Sequence, residues 1–443
     1  MTGPASTPPS TKTRLLEELG CSHGPLRIGK WLATELAERF GTPLYVYDAQ
    51  ILRSRLAAVR TALGPRVDVF FALKANSNVG VAQVMRLAGA GAEVASAGEI
   101  CIAERAGFAG SSIQFAGPGK DAADFEHALR MNLGWLNLES EAEYDALAQH
   151  ARSAGKRPGV AIRVNPKLAV GGSRMRMGGG SKKFGIDEDE VEGLVRKIVS
   201  ENLVELRGLH VYAGTQSFDA LAWVENAKSL VALANRLEAA TGIQFASLNF
   251  GGGFGVPCFE GDPVFDLGAA GTGLKELVAA DARPRRRYLV ELGRYLTGPS
   301  GVYLTRVVYT KSSQGKRHAI LDGGMHQHGA AAGVGAVLKR PFPIVDCKAV
   351  DAPPCGKFTL GGPLCTPADE LAGDLDLPDL EAGDVVAVLG SGAYGLTFSQ
   401  VLFLSHPLPA EVLVDGDSVH LVRERGKPED ALHGQHLPGD ARC

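Results

Sequence analysis

The sequence predicts an α/β fold: a (β/α)8 TIM-like barrel followed by a C-terminal antiparallel β domain. Apolar, β-prone runs alternate with helical spacings eight times between about residues 43 and 298, the strand count of a closed parallel barrel. The charged, polar and glycine motifs fall at the carboxyl ends of those runs, where such barrels keep their chemistry. After about Leu296 the helical spacing gives way to short β-rich runs separated by Gly, Pro and Asp turns. An open doubly wound sheet is the alternative, but no Gly-x-Gly-x-x-Gly follows the first strand.

In chain order, residues 1–13 are rich in Pro, Ser and Thr and are expected to form a disordered lead, neither signal peptide nor anchor. Residues 14–42 are expected to pack with the β domain, and within them Arg27 to Gly41 has helical spacing and ends at a glycine suited to a C-cap. A short strand, Pro43 to Tyr47, follows, and Asp48 stands as N-cap before the amphipathic Ala49 to Leu63. The barrel strands are expected at Val67 to Leu73, Ala92 to Ala95, Ser112 to Ala116, Trp135 to Leu138, Val160 to Val164, Gly208 to Tyr212, Ala246 to Phe250 and Arg287 to Glu291. Helices are expected at Gly80 to Ala90, Glu99 to Ala106, Ser140 to Ala154, Asp187 to Ser200 and Ala220 to Ala240. Residues 299–423 form the predicted β domain, with runs at Gly301 to Tyr309, Arg317 to Leu321, Phe358 to Leu360, Asp384 to Leu389, Glu411 to Val414 and His420 to Val422. Residues 424–443, with Pro428 and Pro438, read as a flexible tail.

Composition narrows the function. A chain of 443 residues with 45% hydrophobic and 21% charged residues is expected to fold as two globular domains. A net charge of −3 offers no basic field for nucleic acid. No run approaches the ~20 apolar residues of a membrane helix, so a cytoplasmic protein is expected. The seven cysteines are irregularly spaced with no Cys-x-x-Cys pair, which indicates neither a disulfide framework nor a metal site.

Phe70 to Leu73 ends on Lys74, and a lysine closing a buried strand is unusual because desolvation disfavours its charge. The plain alternative is a lysine snorkelling at a strand end. Other motifs share its face: Glu93 in strand two, Glu99 opening the next helix, Asn165 ending strand five, and Tyr212, Gly214, Thr215 and Gln216 ending strand six. Gly251, Gly252 and Gly253 end strand seven, and Glu291, Leu292, Gly293 and Arg294 end strand eight. Three glycines let backbone N–H groups approach an anion, and Arg294 adds a guanidinium suited to phosphate. A flexible turn, and a salt bridge of Glu291 with Arg294 or Arg287, are the structural alternatives. Taken together, an amine, a phosphate cradle and a carboxylate fit pyridoxal 5'-phosphate: Lys74 as Schiff-base lysine, Glu291 on the pyridine nitrogen.

The ordered motifs Phe71-Ala72-Leu73-Lys74-Ala75-Asn76, Ser96-Ala97-Gly98-Glu99, Arg163-Val164-Asn165-Pro166, Ser181-Lys182-Lys183-Phe184-Gly185, Gly251-Gly252-Gly253-Phe254-Gly255, Glu291-Leu292-Gly293-Arg294, Gly362-Pro363-Leu364-Cys365 and Gly392-Ala393-Tyr394-Gly395 resemble those of the fold-type III (alanine racemase-like) pyridoxal-phosphate decarboxylases. Diaminopimelate and ornithine decarboxylases belong to this group, and the resemblance covers about residues 40 to 415. It implies a homodimer with shared active sites, Cys365 reaching into the partner's site. It also implies that Lys74 forms the aldimine, that Glu291 holds the ring nitrogen, that Gly251 to Gly253, Arg294 and Tyr394 surround the phosphate, and that Glu93, Tyr212, Thr215 and Gly293 are further cofactor-binding residues. Asp322, His326 and Thr366 are its implied substrate-facing residues.

The chain departs from the diaminopimelate decarboxylases in three places. Tyr212 replaces their ring-stacking histidine, which leaves His210 as a satisfied structural residue. Their Cys-Glu-Ser-Gly-Asp becomes Cys365-Thr366-Pro367-Ala368-Asp369, without the recognition carboxylate. In Asp322-Gly323-Gly324-Met325-His326-Gln327-His328-Gly329-Ala330-Ala331-Ala332-Gly333-Val334, Ala330 stands at the substrate arginine and Val334 at the tyrosine. A site built to pair a polar end loses heavily without those partners. These motifs, with Phe403-Leu404-Ser405-His406-Pro407, look most like a branch that includes a decarboxylase of glutamate tethered to an acyl-carrier protein, with siderophore- and exosortase-associated relatives.

The expectation is therefore α-decarboxylation, through the aldimine and a quinonoid, of an L- or D-amino acid or amino-acid conjugate in secondary-metabolite or siderophore biosynthesis. Lys74 or Cys365 returns the proton to Cα. An acyl-carrier protein is a further partner in this reading, and the small residues from Gly329 to Gly335 would open the distal pocket unless they are only a flexible loop. Lys339-Arg340 would meet an acidic carrier or remain a solvated surface pair. Diaminopimelate decarboxylation, amino-acid racemisation and non-catalytic pyridoxal-phosphate binding are the alternatives.

Overall fold

The computed structural model describes residues 9–167, 173–176, 183–212, 214–336 and 338–438. The described residues fall into two compact units: one from 1–51, 258–262 and 298–443, the other from 52–257 and 263–297.

The second unit is a closed parallel barrel. Its strands are β1 (Val67–Ala72), β2 (Gly91–Val94), β3 (Ile113–Phe115), β4 (Trp135–Leu138), β5 (Gly159–Asn165), β6 (Glu205–Val211), β7 (Ser247–Gly252) and β8 (Arg287–Leu292). Each pairs in parallel with the next, and β8 closes on β1 through Tyr288↔Val67 to Leu292↔Phe71. Most strand residues are buried, because the barrel interior covers one face and helices cover the other. Trp223 of helix Ala220–Thr241 lies edge-on to Phe250 and Phe254, which seats that helix against β7. Below the strands, the fully buried Arg286 pairs with Glu238 at 2.5 Å and Asp281 at 2.9 Å.

The first unit is built around one long strand, Gly301–Ser313. Its first half pairs with Leu44–Asp48 and Val385–Leu389, its second with Lys316–Leu321. Gly356–Gly361 and Glu370–Leu377 extend the sheet on one side, Ala410–Asp415 and Ser418–Arg423 on the other, and Ile344–Asp346 joins Val385–Leu389. The core packs Leu15, Leu16, Leu26, Ile28 and Leu36 against Val302, Leu304, Val385 and Val412.

Several expectations change. Residues 27–41 are not one helix: Arg27–Ile28 and Trp31–Leu32 form a hairpin around Gly29, whose φ of +57° suits a two-residue turn, and the helix spans Ala33–Phe40. The strand after Gly41, Leu44–Asp48, belongs to the β domain, so the barrel unit begins beyond it. Asp48 caps the next helix, accepting from Gln50 N at 2.7 Å and Ile51 N at 3.1 Å. A helix, Thr11–Glu18, with Ser10 as N-cap, begins within the expected lead and runs past it; residues 1–8 lie outside the described residues. The tail is anchored at its start, where Arg425 donates to Pro43 O at 2.8 Å. The β domain carries two parallel pairings, Leu44–Asp48 with Ala410–Asp415 and Lys316–Leu321 with Gly356–Gly361. No described helix is long and apolar enough to cross a membrane.

Candidate active site

Strand β1 stops at Ala72, and a single 3₁₀ turn, Leu73–Ala75, carries Lys74 on the barrel rim. Asn76 and Asn78 fix that turn: Asn76 Oδ1 accepts from Asn78 N at 3.0 Å, and Asn78 caps helix Val79–Leu87 through Gly80 N at 2.8 Å. Lys74 Nζ lies 3.0 Å from both carboxylate oxygens of Glu93, and 5.7 Å from the Tyr212 ring centroid. The Lys74 side chain is 39% exposed against 1% of Glu93. Burial pushes the Glu93 carboxyl up, and the Lys74 ammonium opposes the shift. Glu99 accepts from Ala95 N at 2.7 Å, and burial followed by the charge of Glu93 raises its pKa to about 7.

Across the barrel, Glu291 Oε1 collects its neighbours. It accepts from Gln114 Nε2 at 2.9 Å and Asn249 Nδ2 at 2.7 Å, and His210 Nε2 lies 3.3 Å away. Asn249 also donates to Gln114 Oε1 at 2.9 Å and accepts from Gly251 N at 2.9 Å, so strands β3, β7 and β8 share one network. Burial alone would raise the Glu291 pKa. His210, Lys74 and Asn249 outweigh it and hold the carboxyl at about 2. Oε1 takes all three contacts, and Oε2 has no protein donor among the described residues.

The three glycines at the end of β7, Gly251 and Gly252 within it and Gly253 after it, are geometrically required. A Cβ on Gly251 would sit 2.5 Å from Val211 O, on Gly252 1.6 Å from Glu291 O, and on Gly253 2.0 Å from Gly214 O. Gly251 and Gly253 also hold φ of +64° and +84°. Thr215 sits in the segment Gly214–Ser217, which pairs with Ser173–Arg176 and is tied to the glycines through Ser217 N to Gly253 O at 2.9 Å. Gln216 fastens the same segment by accepting from Val256 N and donating to Val256 O, both at 2.9 Å. Gly293 lets the end of β8 touch the lysine turn, since a Cβ there would lie 2.6 Å from Ala75 Cβ; Arg294 follows. The structure thus gathers Lys74, Glu93, Tyr212, Thr215, Gly251 to Gly253, Glu291, Gly293 and Arg294 at one end of the barrel. Of the Ser181 to Gly185 motif, Ser181 and Lys182 lie outside the described residues, as does Ala213.

Asp322, His326, Cys365, Thr366 and Tyr394 belong to the β-domain unit. Asp322 is engaged by protein donors: the Thr42 hydroxyl on one oxygen, Thr305 Oγ1 and Arg306 N, each at 2.8 Å, on the other. Thr366 Oγ1 accepts from Ala368 N at 3.3 Å, shaping the turn in which Cys365 is exposed. His326 is buried, and Tyr394 holds a left-handed φ of +53°. Lys339 and Arg340 are engaged within the unit, Lys339 with Glu370 and Arg340 with Asp262 at 3.1 Å and the Phe259 ring at 4.3 Å.

Residues 49–298 match the model of the pyridoxal-dependent decarboxylase family, pyridoxal binding domain. The chain belongs to the pyridoxal-dependent decarboxylases. This decarboxylase is 37% identical over 408 residues to the L-glutamyl-[BtrI acyl-carrier protein] decarboxylase of Niallia circulans, covering 91% of the chain and 95% of that relative. It is 32% identical over 428 residues to the diaminopimelate decarboxylase of Methanothermobacter thermautotrophicus, covering 94% and 96%. The crystal structure of diaminopimelate decarboxylase from M. jannaschii in co-complex with L-lysine superposes with a TM-score of 0.86 at 26% identity, covering 94% and 96%. The chain is thus a fold-type III carboxy-lyase, and its cofactor is pyridoxal 5'-phosphate.

The residues present fit that cofactor. A backbone cradle that excludes any Cβ suits a phosphate, a partly exposed lysine suits an aldehyde, and a carboxylate held ionised suits a ring nitrogen. Sequence reasoning missed Gln114 and Asn249 and took His210 for a satisfied residue. In fact neither His210 ring nitrogen makes an aligned hydrogen bond, and Nε2 faces Glu291. The available signal was a polar residue in the middle of an apolar strand: Gln114 between Ile113 and Phe115, Asn249 between Leu248 and Phe250.

Proposed function

We propose that the enzyme decarboxylates an acylated or carrier-tethered amino acid, glutamate joined through its side-chain carbonyl being the first candidate, rather than free diaminopimelate. The observation that carries this reading is the loss of charged distal-end readers: Ala330, Val334 and Thr366 stand where the diaminopimelate enzymes place arginine, tyrosine and glutamate. The relative from Niallia circulans, which acts on a glutamyl carrier protein, supports it. The segment from Gly329 to Ala336 is a chain of tight turns, with Val334 N bonded to Gly329 O at 2.9 Å and Ala336 N to Gly333 O at 3.0 Å, which supports a shaped opening over a slack loop.

Pyridoxal phosphate, when bound, supplies an electrophilic carbon and an electron-withdrawing pyridinium. In this proposal Lys74 provides the amine that anchors it, with Nζ held by Glu93. Glu291 keeps a proton on the ring nitrogen, and Tyr212 covers the ring. Gly251 to Gly253, Thr215, Gly293, Arg294 and Tyr394 bind the phosphate. Lys74 Nζ or the Cys365 thiol returns a proton to Cα. The active unit is a cytoplasmic homodimer in which Cys365 serves the partner's site; an exposed thiol in a shaped turn supports that role. Asp322 holds the turn that bears His326, and Thr366 shapes that of Cys365; both act on substrate through those turns.

The test is CO₂ release by the holoenzyme across lysine, ornithine, arginine, meso-diaminopimelate and glutamate, beside carrier-tethered glutamate. Release from the tethered substrate with silence on free amino acids is expected. Turnover of meso-diaminopimelate at about 1 s⁻¹ or faster would overturn the substrate assignment.

A further inference from the structure

At the end of the barrel opposite Lys74, the amino ends of β4, β5 and β6 surround a cavity of about 220 Å³. Lys156, Arg157 and Arg207 line it, and no Asp or Glu does so among the described residues. All of its lining belongs to the barrel unit.

Arg207 reaches the cavity through a backbone irregularity. Strand β6 pairs with β5 through Leu206↔Val160 and then Gly208↔Ala161, so Arg207 is an extra residue, a bulge of the kind that re-aims a side chain. Its guanidinium crosses the start of β5. A Cβ on Gly159 would lie 2.5 Å from Arg207 Cζ, and Arg207 Nη1 donates to Gly134 O, just ahead of β4, at 2.5 Å. The bulge and the missing side chain at Gly159 therefore hold this guanidinium against the cavity wall.

The protein's own acceptors do not use up the three cations. Arg207 pairs with Glu205 at 2.6 Å. Lys156 Nζ caps helix Ala122–Met131, donating to Leu129 O at 2.5 Å and Asn132 Oδ1 at 2.9 Å. Arg157 donates to Asn202 Oδ1. Lys156 and Arg157 thus have only neutral partners among the described residues, and Arg157 keeps four N–H groups, Arg207 two and Lys156 one. Helix capping accounts for Lys156. It gives no reason for Arg157 and a bulged Arg207 to share the same cavity.

Two positive charges without a carboxylate match a dianion. A phosphate monoester carries about −1.5 to −2 at pH 7 and presents three acceptor oxygens, and guanidinium groups suit those oxygens. The volume falls below the roughly 300–1,000 Å³ of sites for drug-sized ligands, so the ligand is small. We infer that this cavity binds the phosphate group of a small phosphorylated metabolite, at a site separate from the catalytic one.

The test is equilibrium dialysis of ³²P-labelled inorganic phosphate against the holoenzyme at fixed ionic strength. Bound pyridoxal phosphate keeps the catalytic cradle filled, and the readout does not depend on the amino-acid substrate. The expected result is about one labelled phosphate per chain, with a Kd on the order of 1 mM or tighter. Arg157 is exposed and makes a single hydrogen bond, so R157Q leaves the fold intact; it should weaken binding about tenfold, the loss of one charge-assisted bond. R285Q, at an exposed arginine outside the cavity, should bind as wild type does. Unlabelled glycerol 3-phosphate should displace the label, and succinate, a dianion without phosphate, should not at the same concentration. No retained label, equal retention by R157Q and wild type, or displacement by succinate as effective as by glycerol 3-phosphate would each overturn the assignment.

Discussion

Glu291 carries a strongly specified charge, because burial would neutralise it and His210, Lys74 and Asn249 prevent that. If its ionised form keeps a proton on the cofactor's ring nitrogen, Glu291→Gln should bind cofactor with a normal absorbance band yet lose about 10²–10³ in kcat, the usual cost of removing a preorganised electrostatic group. A variant within threefold of wild type would end that assignment. His210 gives a finer test. It is the foremost neighbour lowering the Glu291 pKa, so His210→Gln should let that pKa rise toward the ordinary carboxylate range. Protonated Glu291 is the inactive form, so the acid limb of kcat/KM should move to higher pH by about one unit. An unmoved limb would show that Asn249 and Lys74 suffice. Lys74 and Glu291 were visible in the sequence because each is a charge closing an apolar run. Gln114, Asn249 and His210 were not, because a polar residue inside a strand declares its partners only when the register aligns it, as in His210↔Asn249.

Elements explain where the sequence was legible and where it misled. The barrel strands stand within a few residues of their expected positions, since buried parallel strands read as unbroken apolar runs. Arg27 to Gly41 misled because Ile28, Trp31, Leu32 and Leu36 fit helical spacing as well as a hairpin feeding a helix. Only the positive φ of Gly29 separates the two, and spacing does not report it. Leu44–Asp48 misled because strand order in a sheet depends on partners about 250 and 370 residues later in the chain. The same scale yields a prediction at the glycine cradle. Gly252→Ala would drive a methyl to 1.6 Å from Glu291 O, which β7 and β8 cannot relieve without parting. The expected outcome is at least ~3 kcal/mol of lost stability by denaturant unfolding, the range of overpacked buried sites, with weakened cofactor retention on dialysis. Near-normal stability and retention would mean that the strand ends are slacker than the pairing Gly252↔Glu291 implies.

At the scale of the whole molecule, buried groups set how stability varies with pH, and their signs oppose one another. Burial raises the Glu99 pKa to about 7, so between pH 4.5 and 7 the folded state binds more protons than the unfolded chain, and this group's contribution falls as pH rises. Burial lowers His328 to about 3, so below pH 6.5 the unfolded chain takes up a proton that the folded state refuses, and stability falls as pH drops toward 3. His328 donates to Ser391 and accepts from Ala331 N, so His328→Gln will be less stable at every pH, and the midpoint alone says little. The slope is the discriminating quantity. Removing one titrating histidine should flatten the dependence of unfolding free energy on pH between 6.5 and 4 by up to about 1.4 kcal/mol per pH unit. Parallel slopes for wild type and His328→Gln, measured by urea unfolding of the holoenzyme across that window, would show that His328 protonates without leaving its pocket. The neutral tautomer assigned to its chain of bonds to Ser391 and Val388 would then be wrong.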